Sequence, residues 1–146
     1  MNTLLDNLKA IYLAAIAAGT VSAKSVCKGL HEDPTQISIG QYPYICLDDG
    51  GERTEDANSQ DGQWHYYSVI FEFAAYTTNK ETALTSMLTL SDEIKAVLEL
   101  ETNRQKDGHI WAVSIVPYAW EQDAFFYRGR SVIVDFREFE STYLQF

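Results

Sequence analysis

The sequence contains few cysteine, proline, histidine and basic residues, and each shortage narrows the possible functions. Its 146 residues include two cysteines, three prolines and three histidines, with 11 lysines and arginines against 21 aspartates and glutamates. Two cysteines exclude a disulfide-rich scaffold, and Cys46 in an apolar segment is interpreted as a small hydrophobic residue in a reducing compartment. The formal net charge of −10 and the scattered cations argue against tight binding to nucleic acid.

Long apolar runs and low-complexity breaks are also missing. The apolar residues 10–18 fall far short of the roughly 20 that a membrane span needs. Ahead of them Asp6 offsets Lys9, so we do not interpret the segment as a signal peptide. The sequence predicts one soluble globular domain over residues 1–146, with no membrane contact.

Motifs for enzyme or cofactor chemistry are missing as well. His31, His65 and His109 lie in separate predicted elements, and there is no GxSxG, CxxC, HExxH or glycine-rich phosphate loop. Carboxylates such as Asp48 and Glu52 lie in a solvated segment, whereas a glycosidase acid needs an apolar pocket that raises its pKa. The sequence predicts a non-enzymatic protein without cofactor or metal.

A hairpin that is aromatic in both limbs and acidic between them is the most informative segment. Residues 42–47 and 64–73 have the composition of strands. Residues 48–62 between them form a predicted loop, in which Gly50 and Gly51 supply the positive φ angles of a turn. Six acidic residues and one arginine give this loop a net charge of −5. Its acidic residues are Asp48, Asp49, Glu52, Glu55, Asp56 and Asp61.

Two helices and two more strands complete the predicted fold. A helix over residues 3–18 starts at a Thr3/Asp6 capping box and stops at Gly19, and a second starts at a Thr78/Glu81 capping box and runs to residue 100. The predicted apolar stripe of the second helix comprises Leu84, Met87, Leu88, Ile94, Val97 and Leu98.

Residues 110–118 and 126–139 are predicted strands around a turn at 120–123, and Pro117 marks a strand end or an edge strand. Residues 20–40 show no clean period and are expected to hide a short strand or helical turn. The predicted fold is α+β, with a mainly antiparallel four-stranded sheet, helices packed on one face, and the order αββαββ.

Both faces of the strand that begins at Trp64 carry apolar side chains, although two helices cover one face at most. Uncovered apolar patches are rare on monomers, so we expect self-association. Arg128 and Arg130 share one strand face and are interpreted as solvated or as contacting another subunit. The predicted subunit interface comprises Trp64, Tyr66, Ile70, Glu72, Arg128 and Arg130.

The layout of the chain resembles the tail terminator, or tail-completion, proteins of long-tailed bacteriophages. The matching features are an amphipathic N-terminal helix, a Tyr-Pro strand (42–45) that enters a Gly/acid turn (48–52), and a long aromatic strand (64–73). A Lys-Glu-initiated helix (80–100), a strand with Trp111 and a closing strand (130–139) follow. The likeness covers nearly the whole chain and is one of element order.

The resemblance implies a virion protein, assembled in the host cytoplasm, that forms a ring in the neck region of the tail. Such a ring, commonly of six subunits, sits on the head-proximal end of the tail tube, stops tube polymerisation and joins the head-tail connector or stopper protein. Its expected partners are its own copies, the tube protein and the connector. Double-stranded DNA would pass through without tight binding, repelled by the acidic residues at 48–62 along the channel or its rim.

Three alternatives remain open at this level. The chain could be another phage neck or tail protein, namely a head-completion adaptor or a tube subunit. It could be a calcium- or ligand-binding module that uses residues 48–62, although Asp61 and Tyr67 replace the glycine and glutamate of a calcium loop. A carboxylate hydrolase is the third.

Overall fold

The structure, a computed structural model, describes residues 1–29, 39–56, 62–100, 110–122 and 125–141. Within these residues, two helices and five strands form an α+β domain. In chain order the elements are helix α1 (Asn2–Ala17), strand β1 (Ser25–Lys28), a 3₁₀ turn (Ile39–Gln41), strands β2 (Tyr44–Asp56) and β3 (Gly62–Thr77), helix α2 (Lys80–Glu99), and strands β4 (Ile110–Gln122) and β5 (Phe125–Ser141).

The strands form one mixed sheet in the order β1-β2-β3-β5-β4. The four predicted strands pair antiparallel, as expected. The predicted strand count was wrong, because β1 adds a fifth strand that pairs parallel to the start of β2. Pro117 lies in β4, the edge strand of the described sheet, which agrees with the expectation of a strand end or an edge strand.

A short strand or a helical turn was expected within residues 20–40, and the structure has one of each. β1 and the 3₁₀ turn lie there, while residues 30–38 fall outside the described part of the chain. Cys27 of β1 and Cys46 of β2 are register partners, with 4.8 Å between their Cα atoms, and they form a disulfide. The interpretation of Cys46 as an unmodified thiol was therefore wrong.

Helix α1 ends as predicted but starts differently. Gly19 has φ of +79° and donates its amide to Ile16, while the Thr20 amide reaches back to Ala15, which is a Schellman ending. At the other end Met1 is the N-cap and no side chain caps the helix, so the predicted Thr3/Asp6 capping box was wrong.

The N-cap of helix α2 lies one residue after the predicted cap. Asn79 is the N-cap, and its side-chain oxygen accepts a 3.0 Å bond from the Thr82 amide, in place of the Thr78 cap. Most of the predicted stripe is buried or partly buried. Leu88 is 38% exposed, and Leu90, which the predicted stripe omits, is fully buried in its place.

Both helices pack on the same face of the sheet, as predicted. Their apolar side chains meet one parity of the strands, including Phe71, Phe73 and Val134, all fully buried. Tyr12 of α1 packs edge-on against Phe71, and its hydroxyl donates a 2.9 Å bond to the carbonyl of Ile94 in α2. Burial raises the pKa of the Tyr12 hydroxyl well above its usual value, so it stays a donor.

The sheet continues past the helices as a three-stranded arm, formed by residues 52–56, 62–66 and 137–141. Residues 52–56 of β2 are exposed on both faces, although the Met1 amino group at the start of α1 forms a 3.4 Å ion pair with Glu52. They pair with β3 down to Asp56 opposite Gln63. The predicted loop over 48–62 was therefore wrong for residues 48–56, which are strand, and residues 57–61 lie outside the described residues.

Candidate functional site

The face of the sheet turned away from the helices is the candidate site, called here the open face. On β3 it carries the parity opposite to the buried Val69, Phe71 and Phe73, because successive side chains alternate between faces. No described helix or strand lies over its central and arm portions. Its members on β3 are Trp64, Tyr66, Ser68, Ile70 and Glu72, all partly buried.

Arginines stack on the aromatic residues at the arm end of the open face. Arg53, Tyr66 and Arg137 lie side by side on three adjacent strands. The Arg53 guanidinium carbon is 4.1 Å from the centroid of the Tyr66 ring, and that of Arg137 is 4.4 Å from the centroid of Trp64. Each such cation–π contact contributes about 0.5–1 kcal/mol at an exposed site. Each of the two aromatic rings is therefore held in place by an arginine from a neighbouring strand.

Polar contacts further fix the middle of this face. Ser68 donates a 2.6 Å hydrogen bond to Asp135 on β5. The next row along the sheet is apolar, with Ile70 opposite Ile133, and both are partly buried. The open face thus combines an apolar centre with a rim of stacked arginines, which is the composition of a protein contact surface.

The β1 end of the open face is closed by the chain itself. Tyr42, Tyr44 and Cys46 form a small buried cluster there, and the Tyr42 and Tyr44 rings meet edge to face at 5.3 Å between centroids. Tyr44 donates a 3.0 Å hydrogen bond to the Glu72 carboxylate. Glu72 therefore has a partner within its own chain, and the uncovered part of the face is smaller than the sequence predicts.

The predicted acidic residues lie along an exposed strand edge. β1 pairs only with residues 44–47 of β2, so beyond Leu47 one side of β2 has no strand partner among the described residues. Asp48, Asp49, Glu52, Glu55 and Asp56 follow one another along this edge, and Asp61 falls outside the described residues. Charges on an exposed edge discourage uncontrolled pairing with other strands.

The two predicted interface arginines lie on the other face of the sheet from the four predicted residues of β3. Arg130 is the register partner of Phe73 and Arg128 that of Ala75, which places both arginines on the helix-covered face. Arg130 donates a 3.1 Å bond from Nη1 to the hydroxyl of Ser91 in α2. The structure thus separates the predicted interface into two surfaces.

Sequence reasoning missed Arg53 and Arg137 as members of the site. Arg53 counts in the sequence only as one cation among acids, and Arg137 lies near the end of a long strand. The alternation of Val132, Val134 and Phe136 already indicates that Arg137 belongs to the opposite face. The contact of Arg53 with Tyr66 depends on a bulge in β2, which the sequence signals only through its Gly-Gly pair.

Within the described residues, no group of three or more histidine, cysteine or acidic side chains is arranged to hold a metal ion. No described helix has the length and hydrophobicity of a membrane span. A comparison with protein-family models finds no match, and a comparison with curated protein sequences finds no significant relative.

Proposed function

We propose that this protein is a structural virion protein of a long-tailed phage that assembles into a ring, commonly of six subunits, on the head-proximal end of the tail tube. The ring ends tube polymerisation, provides the joint to the head-tail connector or stopper, and lets DNA pass. In this role the protein works through surfaces and catalyses no reaction. The proposal starts from the resemblance in element order, since the two helices and four antiparallel strands follow the order αββαββ once β1 is set aside.

The observation that supports the proposal most strongly is the open face. Trp64, Tyr66 and Ile70 lie on a sheet face that no described element covers, and stacking against arginines pre-orders the two aromatic rings. Rigid aromatic and arginine side chains contribute most of the binding energy in many protein interfaces. A subunit that contacts its copies, the tube and the connector needs such a surface.

Charge supports the passage of DNA through the proposed ring. The chain carries a net charge of −10, and acidic residues follow the exposed edge of β2. If Asp48 and Asp49, at the foot of the arm, face the channel, they repel phosphates. Replacing both by asparagine should then raise DNA retention by assembled rings at low salt. Unchanged retention would place these two residues away from the channel.

Tube assembly in the presence of the protein tests the proposed role. Purified tube protein is polymerised with and without it, and tube lengths and ends are measured by electron microscopy. We expect shorter tubes with a cap at one end. Free filaments of the protein alone would identify it as a tube subunit instead, and unchanged lengths with bare ends would contradict the proposal.

A matched pair of variants connects this assay to the open face. Trp64→Ala with Tyr66→Ala removes both stacked rings and should abolish capping while circular dichroism shows that the fold persists. Leu13→Ala removes a 45% exposed apolar side chain from the solvent side of α1 and should cap normally. Equal capping by both variants would exclude the open face from the contact.

A further inference from the structure

We propose that neighbouring copies join head to tail, with Arg128 and Arg130 of one copy bound to the acidic end of the arm, Glu55 and Asp56, of the next. This inference rests on the proposed ring and specifies a contact between its subunits. It concerns two patches at opposite ends of the same sheet and leaves the apolar centre of the open face available for other contacts.

Among the described residues, no counter-charge lies against the arginine pair. Both side chains are partly buried, and the Nε atoms of both are fully buried without a hydrogen-bond acceptor. Within the described part of the chain, no carboxylate lies within ion-pair distance of either guanidinium, and the bond of Arg130 to Ser91 is to a neutral hydroxyl. Partly buried arginines are normally paired, because desolvating an unpaired charge is unfavourable.

The acidic residues of the nearest helix do not meet this need. Glu93 of α2 is held elsewhere, since its carboxylate accepts bonds of 2.6 and 2.8 Å from the amide and the hydroxyl of Ser22. Asp92 is exposed, and no described cation lies within ion-pair distance of it. The described residues therefore supply no counter-charge to the arginine pair, and a second copy can supply one.

The acidic end of the arm is suited to supply that counter-charge. Glu55 and Asp56 are exposed. Glu55 forms a 2.8 Å ion pair with Arg53, but both partners are about half exposed, and exposed pairs of this kind are weak enough to exchange. Asp56 accepts a long 3.4 Å bond from Gln63. Both carboxylates can turn toward a stronger, partly desolvated arginine partner.

The two patches cannot meet within one copy. Arg130 pairs with Phe73 and Glu55 pairs with Trp64, so their partners lie nine positions apart along β3. At about 3.3 Å per residue the separation is roughly 30 Å. Unlike patches at opposite ends of a subunit produce a repeating head-to-tail contact, which closes into a ring when the rotation between copies allows it. The contact also offsets the repulsion between copies that each carry a charge of −10.

Charge reversal with a matched control tests the contact. Arg128→Glu with Arg130→Glu is compared with Lys80→Glu and Lys95→Glu, which change the net charge equally at exposed sites of α2. Self-association is measured by sedimentation at about 20 mM salt, where screening is weak, and capping of tube ends is scored in parallel. Arg128→Gln with Arg130→Gln provides a milder variant, and circular dichroism verifies folding of each.

We expect the reversed arginine pair to weaken self-association at least roughly tenfold more than the lysine control. Combining it with Glu55→Arg and Asp56→Arg restores the net charge and should restore assembly. If wild type assembles and the reversed arginine pair self-associates as well as the lysine control, this contact is wrong but the proposed ring is not contradicted. Wild type that neither self-associates nor caps tubes would overturn both proposals.

Discussion

The bulge in β2 should control both the stability of the arm and the arrangement of the open face. Gly50 and Gly51 together lie opposite Ser68, because Asp49 pairs with Val69 and Glu52 already pairs with Tyr67. A Cβ atom at position 50 would lie 2.8 Å from the backbone oxygen of Ser68, a contact that forces the backbone to move. Gly51 has open space around it but a φ of +109°, which disfavours any other residue.

Alanine at position 50 and alanine at position 51 should therefore each destabilise the protein, but through different mechanisms. We expect Gly50→Ala to lower the free energy of unfolding by about 1–3 kcal/mol through the steric contact, and Gly51→Ala by a similar amount, about 1–3 kcal/mol, through backbone strain. For a domain of this size 2 kcal/mol corresponds to about 4–8 °C in Tm. Denaturant and thermal unfolding measure both. Gly29→Ala, also at positive φ but distant from the arm, is the control for strain alone.

Deleting Gly51 removes the extra residue and should restore regular pairing. Gly50 alone then lies opposite Ser68, while Glu52 stays opposite Tyr67 and Arg53 stays opposite Tyr66, so the residues that follow keep their faces. Because Arg53 still lies beside the Tyr66 ring, the deletion variant should cap tubes like Gly29→Ala. Loss of capping by a deletion variant that remains folded would contradict this register.

Three further variants test single contacts by denaturant unfolding. Asn79→Ala should lower the free energy of unfolding by about 1 kcal/mol by removing the cap of α2. An equal loss in Thr78→Ala would instead identify Thr78 as the cap, as the sequence predicts. Tyr44→Phe should cost about 1.5–3 kcal/mol, since it removes a bond to the Glu72 carboxylate, and no loss would show that water replaces it. Tyr12→Phe should cost about 1 kcal/mol near neutral pH. Folding raises the pKa of Tyr12, so the stability that its hydroxyl contributes is retained below pH 10 and falls as the pH rises further. Tyr12→Phe should therefore lose less stability at alkaline pH than wild type.

The long periodic elements could be predicted from the sequence because their patterns are local. Helix α2 was expected from its apolar spacing, but its cap is Asn79 and not Thr78, and Leu90 is buried in place of Leu88. The short β1 gave no periodic signal because four residues are too few for one. The pairing of Cys27 with Cys46 depends on the parallel register of β1 and β2, and no spacing along the chain encodes that register.

The candidate site was only partly predictable because it depends on pairing between strands. Residues 48–56 have the composition of a loop, yet the aromatic partner strand holds them in the sheet. Trp64 and Tyr66 were expected on the open face from alternation alone. Their stacking with Arg137 and Arg53 required the register of three strands and the bulge. Arg128 was assigned to the same interface, and the register of β5 places it on the other face.

High-resolution electron microscopy of tail tubes assembled with the protein would show whether it caps them. We expect one closed ring at the head-proximal end of each tube, with Trp64 and Tyr66 covered by a neighbouring copy, the tube or the connector. Bare tube ends, or rings in which the open face lies in solvent, would contradict it.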